Sequence, residues 1–402
     1  MIRRPAAALA AIMSLSLCLV ALVAVAPAAQ AKRGGTPVIV SVGDSFISGE
    51  AGRWAGNSND SSSRVDALGP TAYFDNANQT AETIAKCHRS RTAEVHIGGG
   101  INSVNLACSG ATAATAWADG AFKPGIDFYD DGLGHQGQAA MLRDIAKTQD
   151  VKLIVLSIGG NDFHFADIIQ QCVTDYVLST TFFPDYCNDD SSVTQRITPQ
   201  AQQTVQTAIV TSLHNLRQAM RDAGYADGSY DVVIQNYPLP VPAGALFRYP
   251  EAGFSRVSTG GCGLWNADAD WAAGTLISIV NNTVKAAAKA AKMTKLHQLD
   301  NSAAFAGHGL CDNRVGLLEE TNTPTWQSTN AVDTSEWVAQ VRTLSTVFGP
   351  YQVQESLHPN YWGQQALQAC LRLAWNKGKV KGGACTIAGT GLVNGDPRMK
   401  LK

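Results

Sequence analysis

Val38-Ile39-Val40-Ser41-Val42-Gly43-Asp44-Ser45-Phe46-Ile47-Ser48-Gly49-Glu50 is the stretch on which the fold turns. Its first five residues are mostly β-branched and continuously apolar apart from Ser41, which reads as a buried strand. Gly43 lets the backbone turn sharply at the carboxyl end of that strand, the edge at which open α/β sheets bind ligands. Ser45 then falls on the first turn after the strand, where a serine is a candidate nucleophile. The plainer reading is that Asp44 or Ser45 caps the helix that follows.

Working outward, other apolar runs break off in the same way. Ser103-Val104-Asn105-Leu106-Ala107 stops at Cys108-Ser109-Gly110-Ala111-Thr112, and Leu153 to Ile158 stops at Gly159-Gly160-Asn161-Asp162. Val232 to Gln235 and Leu296 to Leu299 complete a set of five strands. Between them, helical periodicity covers Gly137 to Thr148, Pro199 to Ala223 with Gly224 as its stop, the alanine-rich stretch Leu264 to Lys292, and finally Tyr361 to Trp375. Strands alternating with helices at this spacing predict a three-layer α/β domain around a five-stranded parallel sheet. Residues 163–199 read as an insertion stapled to itself, Gly56 to Arg64 as a polar loop near the first turn, and 302–355 as irregular.

At the amino terminus, Arg3 and Arg4 precede an apolar run from Ala6 to Val25 and the small-residue site Ala29-Gln30-Ala31, the pattern of a secretory signal peptide cut near Ala31. Residues 32–402 are then expected to form a single domain with insertions. The net charge of −2 falls to −4 without residues 1–31, since Arg3 and Arg4 go and no acid goes with them. That mild acidity offers no basic stripe for nucleic acid. No later apolar run is long enough to span a bilayer, so no stable membrane insertion is expected.

Cys87, Cys108, Cys172, Cys187, Cys262, Cys311, Cys370 and Cys385 are an even set in a chain addressed to an oxidising compartment, and are expected as disulfides. Eight cysteines allow 105 connectivities. Their local grouping favours Cys87 with Cys108, Cys172 with Cys187, Cys262 with Cys311, and Cys370 with Cys385. With no CxxC spacing, a metal site is the weaker use, and none is expected.

Parallel strands deliver their carboxyl ends to one edge, so Ser45, Gly110 and Asn161 should meet there, with Glu355-Ser356-Leu357-His358-Pro359 arriving from a late loop. In this order and spacing, Gly43-Asp44-Ser45, Ser109-Gly110-Ala111, Gly159-Gly160-Asn161-Asp162 and His358-Pro359 together resemble the GDSL, or SGNH, hydrolase family. The likeness is strongest to its secreted actinobacterial esterases and lipases, and it runs from about Val38 to Trp375. It implies a flavodoxin-like fold and a cofactor-free ester hydrolase. Ser45 would be the nucleophile, His358 the base, and Ser45 N–H, Gly110 N–H and the Asn161 amide the oxyanion donors.

The chemistry suits those residue types. A serine hydroxyl needs an imidazole to take its proton as it attacks, and donors at glycine turns stabilise the charge that develops on the carbonyl oxygen. Where the family commonly carries Asp three residues before the histidine, this chain has Glu355, expected to orient His358; a backbone carbonyl near that position is the alternative. Asp44 is expected to fix the nucleophile turn. His164 and His308 are expected to be structural, and Trp54, Trp265 and Trp362 core residues. Asp268 and Asp270, or Asp130 and Asp131, have too few partners for a calcium loop. The substrate expected is a lipid or acyl ester, with the protein a monomer. The rivals are a carbohydrate or small-ester deacetylase of the same fold, and an envelope- or carbohydrate-binding protein that has lost catalysis.

Overall fold

In the computed structural model, which describes residues 1, 36–118, 120–341 and 353–402, the opening stretch forms strand β1 (Pro37–Gly43). Val38, Ile39, Val40 and Val42 are fully buried, so both faces of the strand are covered. That is why the run is continuous instead of alternating. The segment read as a signal peptide lies, apart from Met1, outside the described residues.

Strand β2 (Asn102–Asn105) pairs parallel with β1 on one side. A small antiparallel hairpin, β3 (Ala116–Ala118) and β4 (Ala121–Lys123), stands apart from the main sheet. Strand β5 (Asp150–Ser157) pairs parallel with β1 on its other side, followed across the sheet by β6 (Asp231–Gln235) and β7 (Leu296–Asp300), both parallel. These five strands run in the order β2-β1-β5-β6-β7, the doubly wound flavodoxin-like order, in which the chain reverses direction across the sheet beside β1. The functional crevice of such a sheet lies outside the carboxyl ends of the strands at that reversal, here β1 and β5.

The sheet has seven strands, not five. After β7 come β8 (Gly383–Val393), which adds in parallel through Gly383 and Ala384, and β9 (Asp396–Leu401), antiparallel to β8. Asn394 and Gly395, both at positive φ, make the turn between them. Asn-Gly between two strand-like runs is a strong local signal for such a hairpin, and it was there to be read in the sequence. Asp333 reaches this hairpin, accepting from Gly391 N–H at 2.8 Å.

The helices are α1 (Ser45–Ser48), α2 (Gln138–Thr148), α3 (Phe165–Leu178), α4 (Ser191–Thr194), α5 (Pro199–Asp222), α6 (Asn266–Trp271), α7 (Ile277–Ala290), α8 (Ala331–Thr334) and α9 (Tyr361–Trp375). Helix α5 packs between α2 and α7. Ala366, Leu367, Cys370, Leu371 and Ala374 of α9 join the same core as the strands. The expected single helix from Leu264 to Lys292 is α6 and α7 joined by a π turn at Ala272–Leu276. The insertion at 163–199, to which the sequence reading assigned no helix, has α3 in its first half. All four disulfides join the local pairs, Cys87–Cys108, Cys172–Cys187, Cys262–Cys311 and Cys370–Cys385. Gly35–Lys402 forms one compact unit, and among the described residues no helix is long and apolar enough to cross a membrane.

Candidate active site

The ends of β1 and β5 are drawn together at Gly43. Its φ is +141°, and a Cβ there would sit 1.9 Å from the Ser157 carbonyl oxygen, so only glycine fits. Asp44 N–H donates to that carbonyl at 2.9 Å, and the Gln138 side chain clamps Gly43 by accepting from its N–H at 2.7 Å and donating to its carbonyl at 2.9 Å. Asp44 then caps α1, accepting from Phe46 N–H at 3.2 Å. The capping reading and the nucleophile reading therefore fall on different residues, with Asp44 as the cap and Ser45 on the first helical turn.

Asp44 also accepts a hydrogen bond from Tyr237 O–H, and the Tyr237 oxygen accepts from Gly160 N–H at 2.9 Å. One buried chain thus connects the turn that carries Ser45 to the turn that carries Asn161. Burial pushes the Asp44 carboxyl up to about 7 against the opposing pull of its hydrogen bonds to Tyr237 and Phe46. Tyr237 and this link carry no sequence motif, and sequence reasoning missed them.

His358 comes from the loop before α9. Asn360 caps that helix by accepting from Trp362 and Gly363 N–H, and its amide donates to the Glu336 carbonyl at 2.7 Å. Tyr361 N–H donates to the Trp54 carbonyl at 2.8 Å, and the Gln364 amide donates to the Phe46 carbonyl at 2.9 Å. Those contacts stitch the start of α9 to α1 and to the chain just after it. Leu357, at φ +60°, is in the left-handed region that a branched residue rarely occupies. It is held there by Leu357 N–H to Ala339 O at 3.1 Å and Ala339 N–H to His358 O at 2.9 Å.

The outcome is a 2.6 Å hydrogen bond between Ser45 Oγ and His358 Nε2, across 313 positions of sequence. On the other side of the ring, Nδ1 lies 3.0 Å from the Ser356 carbonyl oxygen. A carbonyl there fixes Nδ1 as the protonated nitrogen and leaves the Nε2 lone pair facing the hydroxyl. The Phe46 ring flanks the imidazole at 5.2 Å. Burial holds the His358 pKa below its usual 6.5, opposed by the negative charge of Glu50 and the Ser356 carbonyl.

Glu355 is a correction. Its carboxylate turns into the protein, where Oε2 accepts from the Trp54 indole at 2.9 Å and Oε1 from Tyr73 O–H at 2.5 Å. It is the carbonyl of the next residue, Ser356, and not the Glu355 carboxylate, that meets the imidazole. The reason is local: Val353–Glu355 is a short 3₁₀ turn that aims Glu355 inward, and the left-handed Leu357 then reverses the chain before His358. Beneath lies a further buried group that the sequence did not disclose. Tyr73 stacks on His88 at 4.6 Å, and His88 Nδ1 is 2.8 Å from the Glu50 carboxylate.

The 108–113 loop is brought to the same edge by Cys108 N–H donating to Gly43 O at 3.1 Å and Ala113 N–H to the Asp162 carboxylate at 3.1 Å. The Asn161 amide donates one hydrogen to Ala111 O at 2.8 Å and keeps its second. Gly110, at φ +79°, and Ser45 both have backbone N–H groups with no hydrogen-bond partner among the described residues. Ser45, Asn161 and His358 line one cavity of about 1050 Å³, whose walls are mostly apolar and come from α3, α7 and the loops around Phe254 and Val353. The stripe Phe165, Ile169, Val173, Val177 presents one face of α3 to it.

The remaining candidates lie elsewhere. His164 is exposed beside Asp167 at 3.5 Å, and His308 stacks on Trp337 at 4.0 Å with Nδ1 against Ser335 O. Trp54, Trp265 and Trp362 are buried, none of them in the cavity wall. Asp268 is taken up by Cys187 N–H and by the Asn188 backbone and side-chain N–H groups, and so ties down the insertion.

No known family profile matches the chain, and no curated protein is similar enough in sequence to match. Among solved structures, it is similar to an extracellular lipase from Streptomyces rimosus at 21% identity and TM-score 0.43, over 84% of this chain and 98% of that one. A phospholipase A1 from Streptomyces albidoflavus NA297 aligns at 19% identity and TM-score 0.41, with the same coverage. A carbohydrate acetylesterase from Sinorhizobium meliloti aligns at 11% identity and TM-score 0.28, over 72% of this chain and 94% of that one.

Proposed function

We propose that this protein is a secreted serine hydrolase of the SGNH type that cleaves carboxylic esters of apolar acyl chains through an acyl-enzyme. The observation that carries the proposal is the 2.6 Å contact between Ser45 Oγ and His358 Nε2 in the wall of a large apolar cavity. Ser45 Oγ attacks the ester carbonyl as His358 Nε2 takes its proton. The tetrahedral intermediate then collapses, and the alcohol leaves with the proton returned from His358. Water then enters and gives a proton to the same nitrogen as its oxygen attacks the acyl carbon; the bond to Ser45 Oγ breaks, Oγ takes the proton back from His358, and the carboxylic acid is released.

Three donors suit the developing oxyanion, namely the unpartnered N–H groups of Ser45 and Gly110 and the second hydrogen of the Asn161 amide. The acyl chain has the α3 stripe to lie against. A cavity of this size is at the upper end of the roughly 300–1,000 Å³ typical of ligand sites, far more than an acetyl group requires, which favours long acyl chains over the deacetylase reading. The test is a fluorophosphonate probe together with p-nitrophenyl esters of two to sixteen carbons. Ser45 is the residue expected to be labelled, Ser45→Ala should abolish labelling and turnover, and the rate should rise with chain length. An unlabelled Ser45 would refute the hydrolase, and a sharp preference for acetyl would refute the long-chain assignment.

A further inference from the structure

Around the mouth of the cavity, large apolar side chains stand in solvent. Leu178, Phe254 and Val353 line the cavity and are 79%, 66% and 64% exposed. Beside Leu178, at the tip of the turn that follows α3, Phe182 and Phe183 are 88% and 83% exposed. Single exposed apolar residues are ordinary, but three on the lining of an apolar cavity, with two more on the turn that continues from Leu178, mark an interaction surface.

These side chains are held outward by built contacts. Thr180 and Phe183 exchange backbone hydrogen bonds at 3.3 and 3.0 Å, closing the turn. Ser179 Oγ donates to the Asp175 carbonyl and accepts from the Trp265 indole, and the Cys172–Cys187 disulfide closes the base of the loop. On the opposite rim, Tyr176 O–H lies 2.9 and 3.1 Å from the carbonyl oxygens of Glu251 and Gly253, which positions Phe254. Tyr176 packs on Trp265 at 4.8 Å, so both loops hang from the same buried pair. The turn is fixed with its two phenylalanines away from the core.

We infer that this rim docks the protein reversibly on a neutral, zwitterionic lipid surface, so that an acyl chain can pass from the lipid into the cavity without crossing water. Charge selects the kind of surface. There is no lysine or arginine between Lys152 and Arg196, while Asp185 and Asp189 are exposed in the loop that carries Phe182 and Phe183. The loop of Phe182 and Phe183 thus offers no cation of its own to an anionic headgroup, and its aspartates would be repelled by a dense layer of them; Arg196, at its far end, is paired with Asp167 at 3.0 Å. Insertion of the phenylalanines is the attractive contribution, as for other interfacially bound apolar faces. The inference rests on the hydrolase reading for the purpose of docking, but not for the docking itself.

The experiment separates the two. Full-length Ser45→Ala protein, which cannot consume the lipid, is sedimented with phosphatidylcholine vesicles, alone and with half phosphatidylglycerol, and compared with the same protein carrying Phe182→Ser and Phe183→Ser. Expected are partition onto phosphatidylcholine, weaker partition onto the anionic mixture, and a loss on the order of tenfold or more in the double substitution. With Ser45 intact, Phe182→Ser/Phe183→Ser should hydrolyse soluble p-nitrophenyl butyrate at the wild-type rate, which also shows that it is folded, and lose turnover on vesicles. No partition of Ser45→Ala, partition unaffected by the two serines, or binding that requires anionic lipid would each overturn the docking surface. Absence of butyrate hydrolysis by the wild type would instead overturn the hydrolase reading and leave the vesicle result standing.

Discussion

Ser356 supplies through its backbone what the sequence pattern assigned to the side chain of Glu355. With Nδ1 against a neutral carbonyl, His358 is oriented by the backbone, and the negative charge that favours its imidazolium is that of Glu50, which is not bonded to the ring. Glu355 instead accepts from Trp54 and Tyr73, two donors that a glutamine amide could satisfy only in part. Glu355→Gln should therefore act on stability more than on chemistry, costing about 1–3 kcal/mol for the mismatched buried bond. We expect kcat to fall by less than roughly tenfold, against about 10³-fold or more for His358→Ala. Thermal unfolding and kcat measured on the same preparations check this; an equal collapse of kcat in both would return Glu355 to the proton transfer. The pH profile follows from the imidazole. Only neutral His358 can take the Ser45 proton, and burial lowers its pKa from 6.5. The acidic limb of kcat/KM should accordingly fall below pH 6.5, with a plateau through neutrality. A limb centred above 7 would mean that a different group, or a far more hydrated His358, controls the rate. That Ser45, Gly110, Asn161 and His358 would come to one edge was legible because the first three sit in short blocks at strand ends and the fourth in a late loop, while the roles proposed for them rest on the resemblance of those blocks. The direction of Glu355 was not, since a spacing of three residues does not reveal a left-handed Leu357 in between.

Among the elements, α3 contributes most to the site and was hardest to read. Its apolar residues Phe165, Ile169, Val173 and Val177 recur every four positions, a helical signal, yet they lie in a segment whose aromatics and paired cysteines read only as an insertion stapled to itself. The π turn at Ala272–Leu276 and the hairpin β8–β9 were obscured for different reasons. One interrupts an otherwise continuous helical period, and in the other small and threonine residues weaken the strand alternation, leaving Asn394-Gly395 as the clearest mark. The long buried strands were easy by contrast, because a chain covered on both faces must be apolar at every position. If the α3 stripe holds the acyl chain, filling it should shorten the preferred substrate. Val173→Trp is expected to lower kcat/KM for twelve- to sixteen-carbon esters by about tenfold or more, several methylenes of apolar contact being lost, and to leave four-carbon esters within about twofold. Equal losses at every chain length would show that α3 does not measure the acyl group.

At the scale of the whole molecule, the Ser45–His358 contact proposed for catalysis spans 313 positions and exists only while the sheet is intact, so the proposed activity depends on what keeps the fold closed. The four disulfides divide that task. Cys87–Cys108 ties down the loop that carries Gly110, Cys172–Cys187 the insertion after α3, Cys262–Cys311 the loops between β6 and α8, and Cys370–Cys385 joins α9 to β8. Their sequence separations of 21, 15, 49 and 15 residues correspond to roughly 3–4 kcal/mol each by loop-closure entropy. Taken together, such contributions reach the size of the entire net stability of a typical domain, about 5–15 kcal/mol. Full reduction is therefore expected to unfold the protein without denaturant. Ester hydrolysis and near-ultraviolet dichroism should disappear together as thiols appear, and both should return on reoxidation. Retention of full activity after all eight of these cysteines titrate as thiols would show that the packed core alone holds Ser45 against His358, and that the disulfides guard the loops instead of the fold.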